Sequence, residues 1–113
     1  MKKGMPLVVY PVKDVAKAQA FFREVLGVEP YLSSPFYVGF RIGDQEIGLD
    51  PNGRAKGQTG PIAYIEVEDI RGRVRALISA GARERMAVTD VGGGRLIAWV
   101  EDADGNVIGL QTP

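Results

Sequence analysis

Two residue types that carry much of protein chemistry are missing from this 113-residue sequence, which has no cysteine and no histidine. Without cysteine there are no disulfides, no thiolate zinc or iron–sulfur sites and no thiol nucleophile. Without histidine there is no imidazole ligand, no usual general base for a serine nucleophile, and no side chain that titrates unperturbed near neutrality. Acid–base and binding chemistry is left to Asp, Glu, Lys, Arg and Tyr. An excess of one charge is missing too, since 14 Lys and Arg balance 14 Asp and Glu. No global field steers the chain to nucleic acid or to an anionic membrane, so neither is expected as a partner. No apolar run approaches the ~20 residues of a membrane-spanning helix. The start, Met1-Lys2-Lys3-Gly4-Met5-Pro6, is basic, but the apolar run behind it is too short for a signal peptide. A cytoplasmic protein is the expectation.

What is present is a repeat. The length suits one domain over residues 1–113, and at 45% hydrophobic residues it has enough apolar surface for a core. The chain reads as strand, helix, three strands, and then the same order again. Leu7 to Val12 is a β-rich run, Asp14 a helix N-cap, and Val15, Ala18, Phe22, Val25 and Leu26 recur at helical spacing up to Gly27. Phe36 to Ile42 and Glu46 to Asp50 read as strands joined at Gly43-Asp44. In the second half Ile62 to Val67 is a strand, Asp69 an N-cap, and Ile70, Val74, Leu77 and Ile78 an apolar stripe ending at Gly81. Arg83 to Thr89, Arg95 to Glu101 and Val107 to Gln111 complete it, with a hairpin turn at Asp102–Asn106. Leu7–Asp14 aligns without a gap on Ile62–Asp69, a shift of 55 residues, and Glu46-Ile47-Gly48-Leu49 aligns on Val107-Ile108-Gly109-Leu110. Module one therefore spans about 6–50 and module two about 61–113. The Gly-, Pro- and polar-rich stretch 51–60 between them is a linker, which would let the modules pair within a chain or swap between chains. Each module is too small to bury a sheet alone, so the two are expected to share a core.

The runs Val12-Lys13-Asp14-Val15-Ala16-Lys17-Ala18 and Phe21-Phe22-Arg23-Glu24-Val25-Leu26-Gly27, with Trp99-Val100-Glu101-Asp102-Ala103-Asp104-Gly105-Asn106, resemble the vicinal oxygen chelate superfamily. That group includes glyoxalase I, bleomycin-resistance proteins, fosfomycin-resistance enzymes and extradiol dioxygenases. The resemblance covers almost the whole chain and speaks for fold more than for reaction. It implies an α+β fold of two βαβββ modules forming a curled mixed sheet, a cup, and commonly a homodimer. In metal-dependent members four ligands come from equivalent strand positions. Carried over, these fall on Leu7, Ile62, Gly48 and Gly109, none of which has a side-chain donor. No metal and no other cofactor is expected, and metal-dependent glyoxalase or dioxygenase activity is not.

Strand alternation then selects the residues that face the cup, because neighbours two apart share a side. With Leu7 and Ile62 inward, so are Val9, Pro11, Tyr64 and Glu66. From Gly48 and Gly109, so are Glu46, Asp50, Val107 and Gln111. Counting through the final hairpins makes Phe40 equivalent to Trp99, with Val38 and Ile97 beside them and Arg95 at the rim. The candidate ligand-binding set is Leu7, Phe40, Asp50, Ile62, Tyr64, Glu66, Arg95, Trp99 and Gln111. Its apolar and aromatic walls with few polar groups suit a small aromatic or planar molecule, and the two glycines would leave room for it.

Several other readings stand beside this one. Leu7 and Ile62 could simply plug the cup and leave an interaction module. Glu66 on an apolar wall is a candidate general acid or base, which with Tyr64 or Arg95 would make a metal-independent lyase or isomerase. The favoured reading of Glu66 is a strand-end carboxylate in water or paired with an Arg such as Arg95, because strand ends are commonly solvated. Glu46, Asp50 and Glu66 could offer a metal oxygen ligands instead. Asp102, Asp104 and Asn106 imitate a calcium loop, but Gly105 and Pro113 fall at the wrong places. Gly92-Gly93-Gly94-Arg95 precedes a strand and lacks the Lys-Ser/Thr ending of a phosphate loop. Arg71, Arg73 and Arg75 read as the solvated face of the second helix.

Overall fold

A computed structural model describes residues 4–113; Met1–Lys3, part of the basic start weighed above, lie outside the described residues. Ten elements of regular strand and helix follow the expected double order: β1 (Leu7–Pro11), α1 (Val15–Leu26), β2 (Leu32–Ser33), β3 (Val38–Ile42), β4 (Gln45–Asp50), then β5 (Ile62–Glu66), α2 (Ile70–Ser79), β6 (Arg83–Asp90), β7 (Leu96–Glu101) and β8 (Val107–Gln111). They divide into two compact units, one of Pro6–Ile62 and one built on Ala63–Pro113. The fold is α+β, and each unit is a βαβββ module. Among the described residues no helix is long and apolar enough to cross a membrane.

In the first unit the strands lie in the order β2-β3-β4-β1, with β1 parallel to β4 and the other pairs antiparallel. Helix α1 starts where the Asp14 carboxylate accepts the Lys17 backbone N–H at 3.1 Å, satisfying a first-turn donor that has no partner within the helix. It stops at Gly27, whose φ of 72° lets its N–H reach back to the Arg23 carbonyl. Between these caps Val15, Ala18, Phe22 and Leu26 turn onto the sheet. There they meet Val38, Phe40 and Leu49, all three fully buried. Burying side chains of this size stabilises by about 1.5–3 kcal/mol each. Val25, read above as part of the stripe, points to solvent with Phe21.

The second unit has the order β5-β8-β7-β6, again with its first strand parallel to its last. Asp69 caps α2 by accepting from Gly72 N–H at 3.0 Å. Ile70, Val74 and Leu77 pack on Ala98, Val100 and Leu110, while Ile78 is exposed. Equivalent closing bonds show how deep the duplication runs. Val12 N–H donates to the Asp50 carbonyl at 3.1 Å, and Val67 N–H donates to the Gln111 carbonyl at 2.8 Å.

The stretch 51–60 is not the loose linker its composition suggests. A short 3-10 turn, Arg54–Lys56, closes on Gly57, and the segment is tied into the first unit. Asp50 accepts from Asn52 N–H at 2.8 Å and pairs with Lys56 at 2.9 Å. Gln58 is 3% exposed and its Nε2 donates to the Val9 carbonyl at 2.7 Å and the Gly60 carbonyl at 3.0 Å. Polar composition hides this anchoring because the partner strand lies 49 residues away.

Two outcomes test these local arguments. Gln58→Met keeps the volume but leaves two carbonyls without their donor, so urea denaturation should show a loss of about 1–3 kcal/mol. At the β7–β8 hairpin, hydrogen bonds from the Asn106 side chain and backbone, with others from the turn, hold the exposed Asp102 carboxyl below its ordinary 3.8. The folded state then holds the proton less tightly than the unfolded one. Its stabilisation is present above the unfolded value and is lost as pH falls through the folded one. A carboxyl-carbon NMR titration should place the Asp102 midpoint below 3.8 and show it rising in Asn106→Ala.

Candidate functional site

The faces that the helices leave uncovered are set by strand register. In the second unit α2 takes Ile65, Val67, Ala98, Val100, Ile108 and Leu110. Alternation sends Tyr64, Glu66, Ile97, Trp99, Glu101, Gly109 and Gln111 to the other side. Pairing agrees: Tyr64 lies opposite Gly109, Glu66 opposite Gln111, Trp99 opposite Gly109 and Ile97 opposite Gln111. Trp99 and Tyr64 are 3% and 5% exposed, and the indole Nε1–H donates to the Tyr64 hydroxyl at 2.7 Å. The Tyr64 ring lies over Gly109, where an added Cβ would stand 2.6 Å from its Cε2. Gln111 is 2% exposed and its Oε1 has no hydrogen-bond partner among the described residues. Glu66 is half-buried at the end of β5. Arg95 stands exposed on the connection into β7, where backbone bonds with Val91 and Gly92 close the glycine loop.

In the first unit the same rule places Leu7, Val9, Pro11, Gly39, Arg41, Glu46, Gly48 and Asp50 away from α1. Phe40 is not among them. It is fully buried on the helix side with Val38, pairs with Ile47, and its expected place in the cup is corrected here. The reason is hairpin length. The β3–β4 turn has two residues between Ile42 and Gln45, whereas Glu101 and Val107 flank five. An odd difference shifts the face by one position, so the residue facing Gly48, as Trp99 faces Gly109, is Gly39.

Aromatic cover on this face comes from residues the sequence reading passed over. Tyr31 lies over Gly39, its hydroxyl donates to Glu46 at 2.7 Å, and the Arg41 guanidinium stacks 4.2 Å from its ring centre. The Tyr37 hydroxyl reaches over Gly48, with Cζ 2.6 Å from where a Cβ would stand. The alternation Tyr37, Gly39, Arg41 carried the signal for two of these. Glu101 was missed as well. It is 7% exposed and held by Arg83 at 3.0 Å and Arg85 at 3.3 Å, a pairing that Arg-x-Arg on the neighbouring strand announces.

These geometries decide the fit of a metal. The positions to which the resemblance assigns ligands carry two aliphatic side chains, Leu7 and Ile62, and two glycines. The room expected at Gly48 and Gly109 is taken by Tyr37 and Tyr64. Of the alternative oxygen donors, Glu46 is bound to Tyr31 and lies near Arg41, and Asp50 is bound to Lys56. No three His, Cys, Asp or Glu residues gather as a ligand set among the described residues. The donor set does not fit a catalytic cation.

Comparison with known proteins agrees with the fold. Residues 4–110 match the family described as the Glyoxalase/Bleomycin resistance protein/Dioxygenase superfamily. No curated protein matches the sequence. Among solved structures, a Legionella pneumophila protein described as NAD-dependent benzaldehyde dehydrogenase superimposes with a TM-score of 0.77 at 19% identity, covering 94% of this chain and 96% of that one. A superfamily member from Vibrio splendidus 12B01 gives 0.70 at 17% identity, with 100% of both chains covered. Methylmalonyl-CoA epimerase from Mycobacterium tuberculosis gives 0.69 at 20% identity, covering 99% and 89%. At such identities the likeness is one of fold.

The two glycine contacts differ in a way stability can measure. At Gly109 an added methyl meets the root of the Tyr64 ring, including Cγ at 2.7 Å, whereas at Gly48 it meets the far end of Tyr37. Gly109→Ala should therefore cost about 1–3 kcal/mol by overpacking and shift the Trp99 indole N–H resonance. Gly48→Ala should cost less, because the contact is with the far end of a flexible side chain. Equal losses in chemical denaturation would contradict the packing described.

Proposed function

Since the chain belongs to the Glyoxalase/Bleomycin resistance protein/Dioxygenase superfamily, we propose that it binds a small planar, aromatic molecule without a metal, on the side of the second module's sheet away from α2. The observation that carries this reading is the Trp99–Tyr64 pair. Two large rings joined by a 2.7 Å hydrogen bond stand on the side of the sheet away from the module's own helix. Aromatic rings locked in orientation by a satisfied polar tip give a rigid, apolar wall for a flat guest. Glu66 and Gln111 belong to the proposed binding set through their strand positions. Arg95 belongs to it as an exposed cation at the end of the glycine loop.

Binding, rather than metal-assisted chemistry, is favoured by the side chains at the ligand positions. A hydrocarbon or hydrogen there cannot polarise a carbonyl or activate water. The acidic groups that could substitute in the first module are already engaged by Tyr31 and Lys56.

The chain has a single tryptophan, so its emission reports on this face alone. Titrating the protein with a panel of uncharged aromatic compounds should give a saturable change in Trp99 emission for at least one. Calorimetry, which does not rely on the indole, should show that the same compound binds wild type and no longer binds Trp99→Leu. A panel with no saturable response would overturn the proposal.

A further inference from the structure

Most buried polar side chains here are accounted for. Asp50 has Lys56 and the Asn52 N–H, Gln58 has two carbonyls, and Glu101 has two arginines. Gln111 is the exception: it is 2% exposed, and its Oε1 lacks a donor among the described residues. A buried carbonyl with no donor is destabilising by about 1–3 kcal/mol, so such an atom calls for an explanation. The duplication sharpens it. Asp50 and Gln111 each stand two residues after the glycine of their last strand, and each accepts the N–H that follows the first strand. The first module satisfies its side chain there with the 51–57 turn. In the second, the side chain shares a face with Trp99 and Tyr64 and has Ile97 and Glu66 as its register neighbours.

We infer that Gln111 Oε1 is the hydrogen-bond acceptor for the bound molecule, which is therefore an aromatic compound with a neutral O–H or N–H donor on its rim. This deepens the binding reading above and rests on it. The chemistry around the atom also restricts the guest. Gln111 Oε1 can only accept. A donor-bearing ring is matched there and a carboxylate is not, because it would set acceptor against acceptor.

Phenol, fluorobenzene and benzoate test this directly, since they share a ring and differ in the rim group. Binding is followed by the indole N–H resonance of the single tryptophan in wild-type protein and in Gln111→Met, with thermal denaturation of both. Phenol is expected to bind wild type about tenfold more tightly than fluorobenzene, the effect of one buried hydrogen bond, and benzoate not to bind. In Gln111→Met the preference should disappear while the melting temperature holds or rises, because an unsatisfied polar atom has been removed. Equal affinities for phenol and fluorobenzene in wild type would overturn the inference and leave the binding function standing. A marked fall in melting temperature in Gln111→Met would also overturn it, by showing that an internal water already satisfies the amide. If none of the three binds, while the wider panel does, the inference alone fails; if that panel is silent too, both fall. Should the variant not fold, the wild-type phenol-to-fluorobenzene ratio decides.

Discussion

In each module a tyrosine packs against bare backbone on the last strand, and the character of the uncovered face follows from that contact. Gly109 has no Cβ, which lets the Tyr64 ring settle over the strand. With the ring there, its hydroxyl stands where the Trp99 indole can donate to it. The tryptophan is thereby fixed in one orientation. A carboxylate on residue 109 is incompatible with the same arrangement, since the ring occupies the volume its Cβ would need. A side-chain donor at residue 109 and this aromatic wall thus exclude each other. The first module reaches a similar end by another route: Tyr37, just before β3, covers Gly48, and Tyr31 covers Gly39. Rings laid on glycine are a recognised way to protect exposed sheet backbone.

Features that depend on near neighbours were legible in the sequence. The caps at Asp14 and Asp69, the stop at Gly27 and the two βαβββ orders need only a few consecutive residues. The face assignment of Tyr64, Glu66 and Gln111 was legible too, since it follows from the alternation of single strands. Phe40 was misplaced because its face depends on a count across two hairpins of unequal length. The repeat hides that difference: the first strands align at a shift of 55, whereas Gly48 aligns on Gly109 at a shift of 61. Parity in a sheet does not tolerate such an error, since one residue exchanges core for surface. Gln58 was illegible for another reason. Its partner, the Val9 carbonyl, is distant in sequence, and nothing in a run of Gly, Pro and polar residues marks which one will be buried.

Charge on the uncovered faces is spent locally. Glu46 lies against Tyr31 and Arg41, Asp50 against Lys56, and Glu101 against Arg83 and Arg85. Partners of this kind supply a carboxylate with the donors that burial would otherwise deny it. They also remove it from service as a metal ligand or a base, because coordination or proton transfer would first have to break the pairing. The acidic residues that look most chemical in the sequence are for this reason mostly architectural.

Asp50 and Gln111 differ in the same respect, one side chain being engaged and the other not, among the described residues. Duplicated modules start with equal constraints at equivalent positions, so a difference in satisfaction between them reflects what each position now does. At residue 50 a turn is folded over a charged group, which fixes the segment 51–57 to the first unit. At residue 111 the equivalent group is a neutral amide, which can remain buried without a partner at far lower cost than an ion. That tolerance is what allows a polar atom to wait inside an aromatic surface. An aspartate at residue 111 would demand a cation at all times, whereas an amide demands only a donor, and a transient one suffices.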